Sequence, residues 1–227
     1  MKVSGKIHRG TSIVAAVFML IFMIVGTGSN ILSIISLSKY YETSELLSRV
    51  FSLAINAIAT LLLILVLFRG KKDSASGILV ILTILMTPAR GVFSSVLRII
   101  TAFGMLDFMS RGIAVCLIAS GVILFVANLA GIGFRALIAA ECFKPGKIAG
   151  GKTKAFFVIL PIVNVLMIAV SNMVQQLYLV ADYGVSQFLI AVLLPTVFTI
   201  FTSLGTVLMG VAFSIPVYEN KIFDYTM

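Results

Sequence analysis

Acidic side chains are absent from every long apolar stretch of this sequence. Glu42, Glu45, Asp73, Asp107, Asp182, Glu219 and Asp224 fall in polar segments, and Glu141 sits at the end of an apolar run. Histidine occurs once, as His8 near the N-terminus. A carboxylate or imidazole inside an apolar span is the usual proton relay or cation ligand, and this chain has neither. The same shortage argues against catalysis, because general acid–base work needs His, Asp, Glu or a tuned Lys beside the substrate. A membrane metalloprotease needs clustered His and carboxylate ligands, and a serine hydrolase needs a base at its nucleophile. Gly26-Thr27-Gly28-Ser29 could form a nucleophile turn, but it has no histidine partner among the spans. The expectation is a protein that is not an enzyme and carries neither cofactor nor metal.

Cysteine is scarce as well, with only Cys116 and Cys142 present. On one continuous helix they would stand roughly 39 Å apart at about 1.5 Å per residue, whereas a disulfide needs Cα atoms within about 7 Å. They are read as free thiols.

What the sequence has in abundance is hydrocarbon. Apolar residues make up 60% and charged residues 11%, against typical soluble values of about 45–50% and 25%. The apolar residues gather into runs of about twenty or more, the length that crosses a bilayer as helix. Six runs are predicted, at about 11–37, 47–68, 76–105, 112–139, 155–179 and 187–215. The fold class is therefore all-α, a polytopic transmembrane helical bundle forming a single integral membrane domain over residues 1–227.

Net charge is +9. Its placement points away from nucleic acid, because twelve of the seventeen Lys and Arg fall in alternate inter-span segments. Such segments are retained in the cytoplasm, so both termini are predicted there, with anionic headgroups as partners of the basic loops. That count assigns Arg135 to the cytoplasmic segment that runs on to Lys154. Tyr40, Tyr41, Tyr178 and Tyr183 then fall at the outer interface and Tyr218 at the inner one, where amphipathic rings are favoured. A cleavable signal peptide is a competing reading of the first 28 residues. The apolar character continues to Leu37, however, so cleavage there would cut a span in half. Short loops and the lack of an N-x-Ser/Thr acceptor suggest a prokaryotic cell membrane.

Span 3 is long for one straight crossing and holds Thr87-Pro88-Ala89-Arg90-Gly91 near its middle, so it is predicted to be kinked or broken near Pro88. Arg90 is the ionisable group expected at mid-membrane depth, where arginine costs about 2.5–3.5 kcal/mol on insertion scales. It is the first candidate contact for an anion or solute, with Asn30, Asn56, Asn128 and Asn164 as further candidates. These asparagines lie on stripes of polar and small residues at helical spacing, with Ser52, Thr60, Ser171, Thr196, Thr199, Ser203 and Thr206. Such stripes either pack helices closely or line a hydrated cavity. Pro88 in span 3 and Pro195 in span 6 sit at loosely corresponding depths, without a residue-level repeat between the two halves.

The loop from Lys144 to Lys154 invites comparison with a phosphate-binding loop. That motif needs a preceding strand and a following soluble helix, and this loop stands between spans. Headgroup contact is the expected role. The size and span count resemble those of the substrate-capturing subunits of some vitamin importers, although span 1 lacks their spaced-alanine face. Two functions remain open: a transport component for a neutral or anionic solute, or an assembly, scaffold or regulatory subunit acting with a protein partner or as a homo-oligomer.

Overall fold

The computed structural model describes residues 2–37, 43–104, 106, 110–144, 150–177, 180, 184–189, 192 and 194–219. It is built from long helices, as an apolar environment requires, since each backbone N–H and C=O must be satisfied within its own segment. The helices are α1 (Arg9–Leu37), α2 (Thr43–Arg69), α3 (Ser74–Met86), α4 (Pro88–Gly104), α5 (Arg111–Phe143), α6 (Gly151–Gln175), the short α7 (Val185–Phe188) and α8 (Leu194–Ser214). Five stretches, with α3 and α4 taken as one, are long and apolar enough to cross a membrane. The sixth, α8, has 21 residues. It begins later than the predicted span 6, and α6 ends earlier than the predicted span 5, because Gln176 and Leu177 form a turn there.

Neighbours in space close a ring: α1 packs on α2 and α8, α2 on α3, α3 and α4 on α5, α5 on α6, and α6 on α8. Two three-residue strands flank the helices. β1 (Lys2–Ser4) pairs antiparallel with β2 (Val217–Glu219). The segment after β1 continues along the turn between α2 and α3, with Ile7 donating to the Gly70 carbonyl at 2.9 Å and Lys72 to that of Gly5 at 2.9 Å. The N-terminal segment is thus held between β2 and the turn that joins α2 to α3. This end of the bundle is the strand end. His8 caps α1 there, its Nδ1 accepting from the Thr11 amide at 3.3 Å.

Most of the packed core lies toward the strand end. Ile7, Ala16, Leu67, Phe134, Ile138, Phe157, Met209 and Phe213 form it, and the Phe157 and Phe213 rings meet at 5.8 Å. Lys72 folds back over the Phe213 ring, 5.6 Å from its centroid, and reaches the Phe213 carbonyl at 3.4 Å. Burial pushes its pKa down, against the nearby Glu141 charge, which raises it.

Two glycines let α8 approach its neighbours. A Cβ on Gly205 would stand 2.5 Å from Met19 Cγ on α1, and one on Gly210 would fall on the Phe157 carbonyl oxygen of α6. Pro161 explains why that oxygen is available. Having no N–H, it cannot bond the carbonyl four residues back, which is that of Phe157. The bare backbone of Gly210 packs against that oxygen, the kind of close helix–helix crossing that small residues permit.

Asp73 starts α3. Its carboxylate accepts from the Ser76 amide at 2.8 Å and from Arg69 at 2.6 Å. The Ser76 bonds and then Arg69 hold its pKa down at about 2 from 3.8. Because the folded value is depressed, the associated stability is fully present above the unfolded pKa near 3.8 and is lost as pH falls through 3.8 toward about 2. Asp73→Ala is expected to cost about 0.5–1 kcal/mol at neutral pH, as other helix caps do. Thermal midpoints of the two proteins should converge at pH 2, and a gap that persists there would contradict this account.

Candidate functional site: an arginine-floored cleft

Beyond Met19 in α1 and before Ala59 in α2, no described residue is buried. The two helices pack tightly only in the halves nearest the strand end, and a cleft lies between their other halves. It has two compartments that share Asn30, Leu53 and Asn56.

The compartment farther from the strand end has a volume of about 210 Å³ and is lined by Arg49, Arg90, Ser48 and Ser52 with the shared residues. Three of the five residues expected to contact solute, Asn30, Asn56 and Arg90, therefore meet on one wall system. Asn30 donates to the Gly26 carbonyl of its own helix at 2.8 Å, which leaves its side-chain oxygen for the cleft.

The deeper compartment, about 270 Å³, lies between α1, α2, α5 and α8. Met19, Phe22 and Leu63 supply apolar wall, and Thr60, Ser203 and Thr206 supply hydroxyls. Arg135 of α5 also lines it. Arg135, which falls inside the predicted span at 112–139, lies eight residues inside the end of α5 at Phe143, roughly 12 Å along the helix. Phe134 and Ile138 beside it are buried. Its Nη1 donates to the Gly131 carbonyl at 3.3 Å, and its buried Nε has no partner. The clue available from sequence is Gly131 through Ala140, in which Arg135 is the sole charge in an otherwise apolar decad.

Thr87 joins the same compartment, with a buried Oγ1 that has no partner. It stands between α3 and α4. Its amide reaches the Thr83 carbonyl at 3.2 Å and its carbonyl accepts from Gly91 at 2.9 Å. Pro88 is the first residue of α4, a position where its missing N–H is tolerated. Pro195 likewise sits in the first turn of its helix, α8, so it opens that helix and does not interrupt it.

Asn128 and Asn164 go elsewhere. Asn128 donates to Ser95 Oγ of α4 at 3.3 Å and to the Leu124 carbonyl at 2.8 Å. Asn164 of α6 reaches the Ala127 carbonyl of α5 at 2.5 Å. With Ser171, which donates to the Ser120 carbonyl at 2.8 Å, these amides bridge α4, α5 and α6. Bridges of this kind measure about 0.6 kcal/mol on average and up to about 1.7. Asn164→Ala is expected to fall within that range, read as a lowered thermal midpoint. A loss of solute binding with unchanged stability would contradict the packing role.

Neither compartment has an acidic residue among its lining residues. No group of three or more His, Cys, Asp or Glu that could hold a metal occurs among the described residues. Cys116 and Cys142 are free thiols. Residues 146–153 do satisfy the eight-residue phosphate-loop spacing, from Gly146 to Gly151-Lys152-Thr153. The preceding element is the helix α5, not a strand, and residues 145–149 lie outside the described set. Tyr40, Tyr41, Tyr178 and Tyr183 also lie outside it.

Five helices of spanning length and composition make this a multi-pass helical membrane protein. No protein-family model, curated protein or solved structure matches the chain.

Proposed function

We propose that this protein is a non-enzymatic transport component, a small carrier, channel or permease subunit for a neutral or anionic solute. In this reading the chain crosses a prokaryotic cell membrane six times, with both ends in the cytoplasm and the third crossing bent at Pro88. The observation that carries it is the cleft, whose arginines and amides line space and are not all consumed in helix packing. Polar groups facing lipid would be costly, so the cleft is a place for water and solute. Its cationic lining without acids favours anions over protons or metal cations.

The pairing of β1 with β2 supports an even number of crossings, since it brings both ends of the described chain together. Lys6, Lys71, Lys72 and Arg69 gather there, as the positive-inside rule expects of a cytoplasmic face. Anionic headgroups are the partners of that face.

A second reading, an assembly or regulatory subunit, draws on Asn128, Asn164 and Ser171, which are used in packing. Purification in native lipid followed by mass spectrometry separates the two. A bound small solute or a stoichiometric ATPase supports transport. A stable complex with non-transport proteins and an empty cleft would overturn it.

A further inference from the structure

We infer that Arg135 is the anchor for the charged end of a small monocarboxylate, whose apolar body lies along Met19, Phe22 and Leu63. This rests on the transport reading for its physiological sense, but the site is argued from its own geometry.

A guanidinium carries five N–H donors in a planar fork. In Arg135 one hydrogen bond goes to the Gly131 carbonyl of its own helix and Nε has none. Among the described residues, no carboxylate lines the compartment to balance the charge. A cation partly withdrawn from water and left in that state is costly, and an anion that accepts from the fork lowers the cost. The Thr87 hydroxyl is a second buried group with an unmet hydrogen bond on the same compartment, contributed by a different helix pair. Both residues line the compartment, each with a side-chain atom short of a hydrogen bond, which marks where the polar end of a ligand would lie.

The charge of that ligand follows from the lining. Among the described lining residues Arg135 is the sole cation of the deeper compartment, and the other polar groups, including Asn56, Thr60, Ser203 and Thr206, are neutral. One positive charge matches one negative charge, which favours a carboxylate over a phosphate dianion. The planar fork also suits a carboxylate in bidentate fashion. Met19, Phe22, Met23 and Leu63 supply apolar wall to the same compartment, so the ligand has a hydrocarbon body. At about 30 Å³ per water, 270 Å³ equals about nine waters, room for an acid the size of benzoate. The approach is from the outer compartment, past Asn30 and Asn56, where Arg90 and Arg49 attract the anion first.

The test is isothermal titration of benzoate into the full chain in lipid nanodiscs, with benzamide as a neutral match in shape. Benzoate is expected to bind at least tenfold more tightly than benzamide. Arg135→Gln should weaken benzoate at least tenfold, while Arg111→Gln, which removes an equal charge at the start of α5, should leave it within twofold. Ser203→Phe, which fills the compartment and keeps the guanidinium, should also abolish binding, so the proposal stays testable if Arg135→Gln does not fold. Equal binding of benzoate and benzamide would overturn it, as would undiminished binding in Arg135→Gln or Ser203→Phe. Tighter binding of inorganic phosphate than of benzoate would overturn the monocarboxylate. Proteoliposome flux separates this from the broader reading. Arg135-dependent binding without flux removes transport and leaves the site, whereas flux that survives Arg135→Gln removes the site and leaves transport.

Discussion

Ligand-free protein carrying Arg135→Met is expected to unfold at a higher temperature than the unmodified chain. Replacing a buried charge by a well-packed apolar side chain is commonly neutral or stabilising by about 1–4 kcal/mol, because the desolvation penalty disappears. Here the expected gain lies toward the lower part of that range, since the guanidinium is only partly buried. Cys142, fully buried in the core, offers the readout: a thiol-reactive fluorophore reports its exposure during a thermal ramp. Adding benzoate should reverse the order. At a ligand concentration of about 100 times Kd, binding stabilises the native state by about 2.7 kcal/mol, and only the arginine-containing protein would receive it. A lower midpoint for ligand-free Arg135→Met would show that the guanidinium is satisfied without ligand.

Gly210→Val should cause the largest loss of stability of any single change considered. The Cβ would occupy the position of the Phe157 carbonyl oxygen, and a backbone atom cannot swing aside as a side-chain tip can. α6 and α8 would have to separate, and overpacking of this kind costs about 1–3 kcal/mol and occasionally more. Gly133→Ala is the matched control. There a Cβ meets nothing closer than Leu160 Cδ1 at 3.8 Å, so the replacement should be neutral or gain up to about 1 kcal/mol of helix propensity. Comparable losses at Gly133 and Gly210 would mean that the α6–α8 crossing is looser than described.

The long helices were legible because bilayer thickness and backbone satisfaction leave so few alternatives. Runs of apolar residues name α1 through α6 to within a few residues. The start of α8 was less legible, since the polar and apolar residues between 184 and 194 do not change character sharply. The cleft was legible only in part. Asn30, Asn56 and Asn128 are the same residue type on similar stripes, and periodicity says which face each occupies but not which helix that face meets. Only the packing order separates Asn128, spent on Ser95 and Leu124, from Asn30 and Asn56, which line space. Arg135 was overlooked as a cleft residue for a different reason: counted with the charges near a span end, it was not weighed as a lining group, and only the assembled bundle brings it to the cleft beside α1, α2 and α8.

The pairing of β1 with β2 and the contact of α1 with α8 also set a timetable for biosynthesis. Ser4 cannot find Val217 until more than two hundred further residues have been made. At about 5–20 residues per second this takes about ten to forty seconds. During that interval α1 stays in the bilayer with the face that will receive Gly205 open to lipid or to an insertion factor. Ribosome-stalled chains ending before α8 should therefore leave the N-terminal segment open to protease, and completion of the chain should close it in one late step.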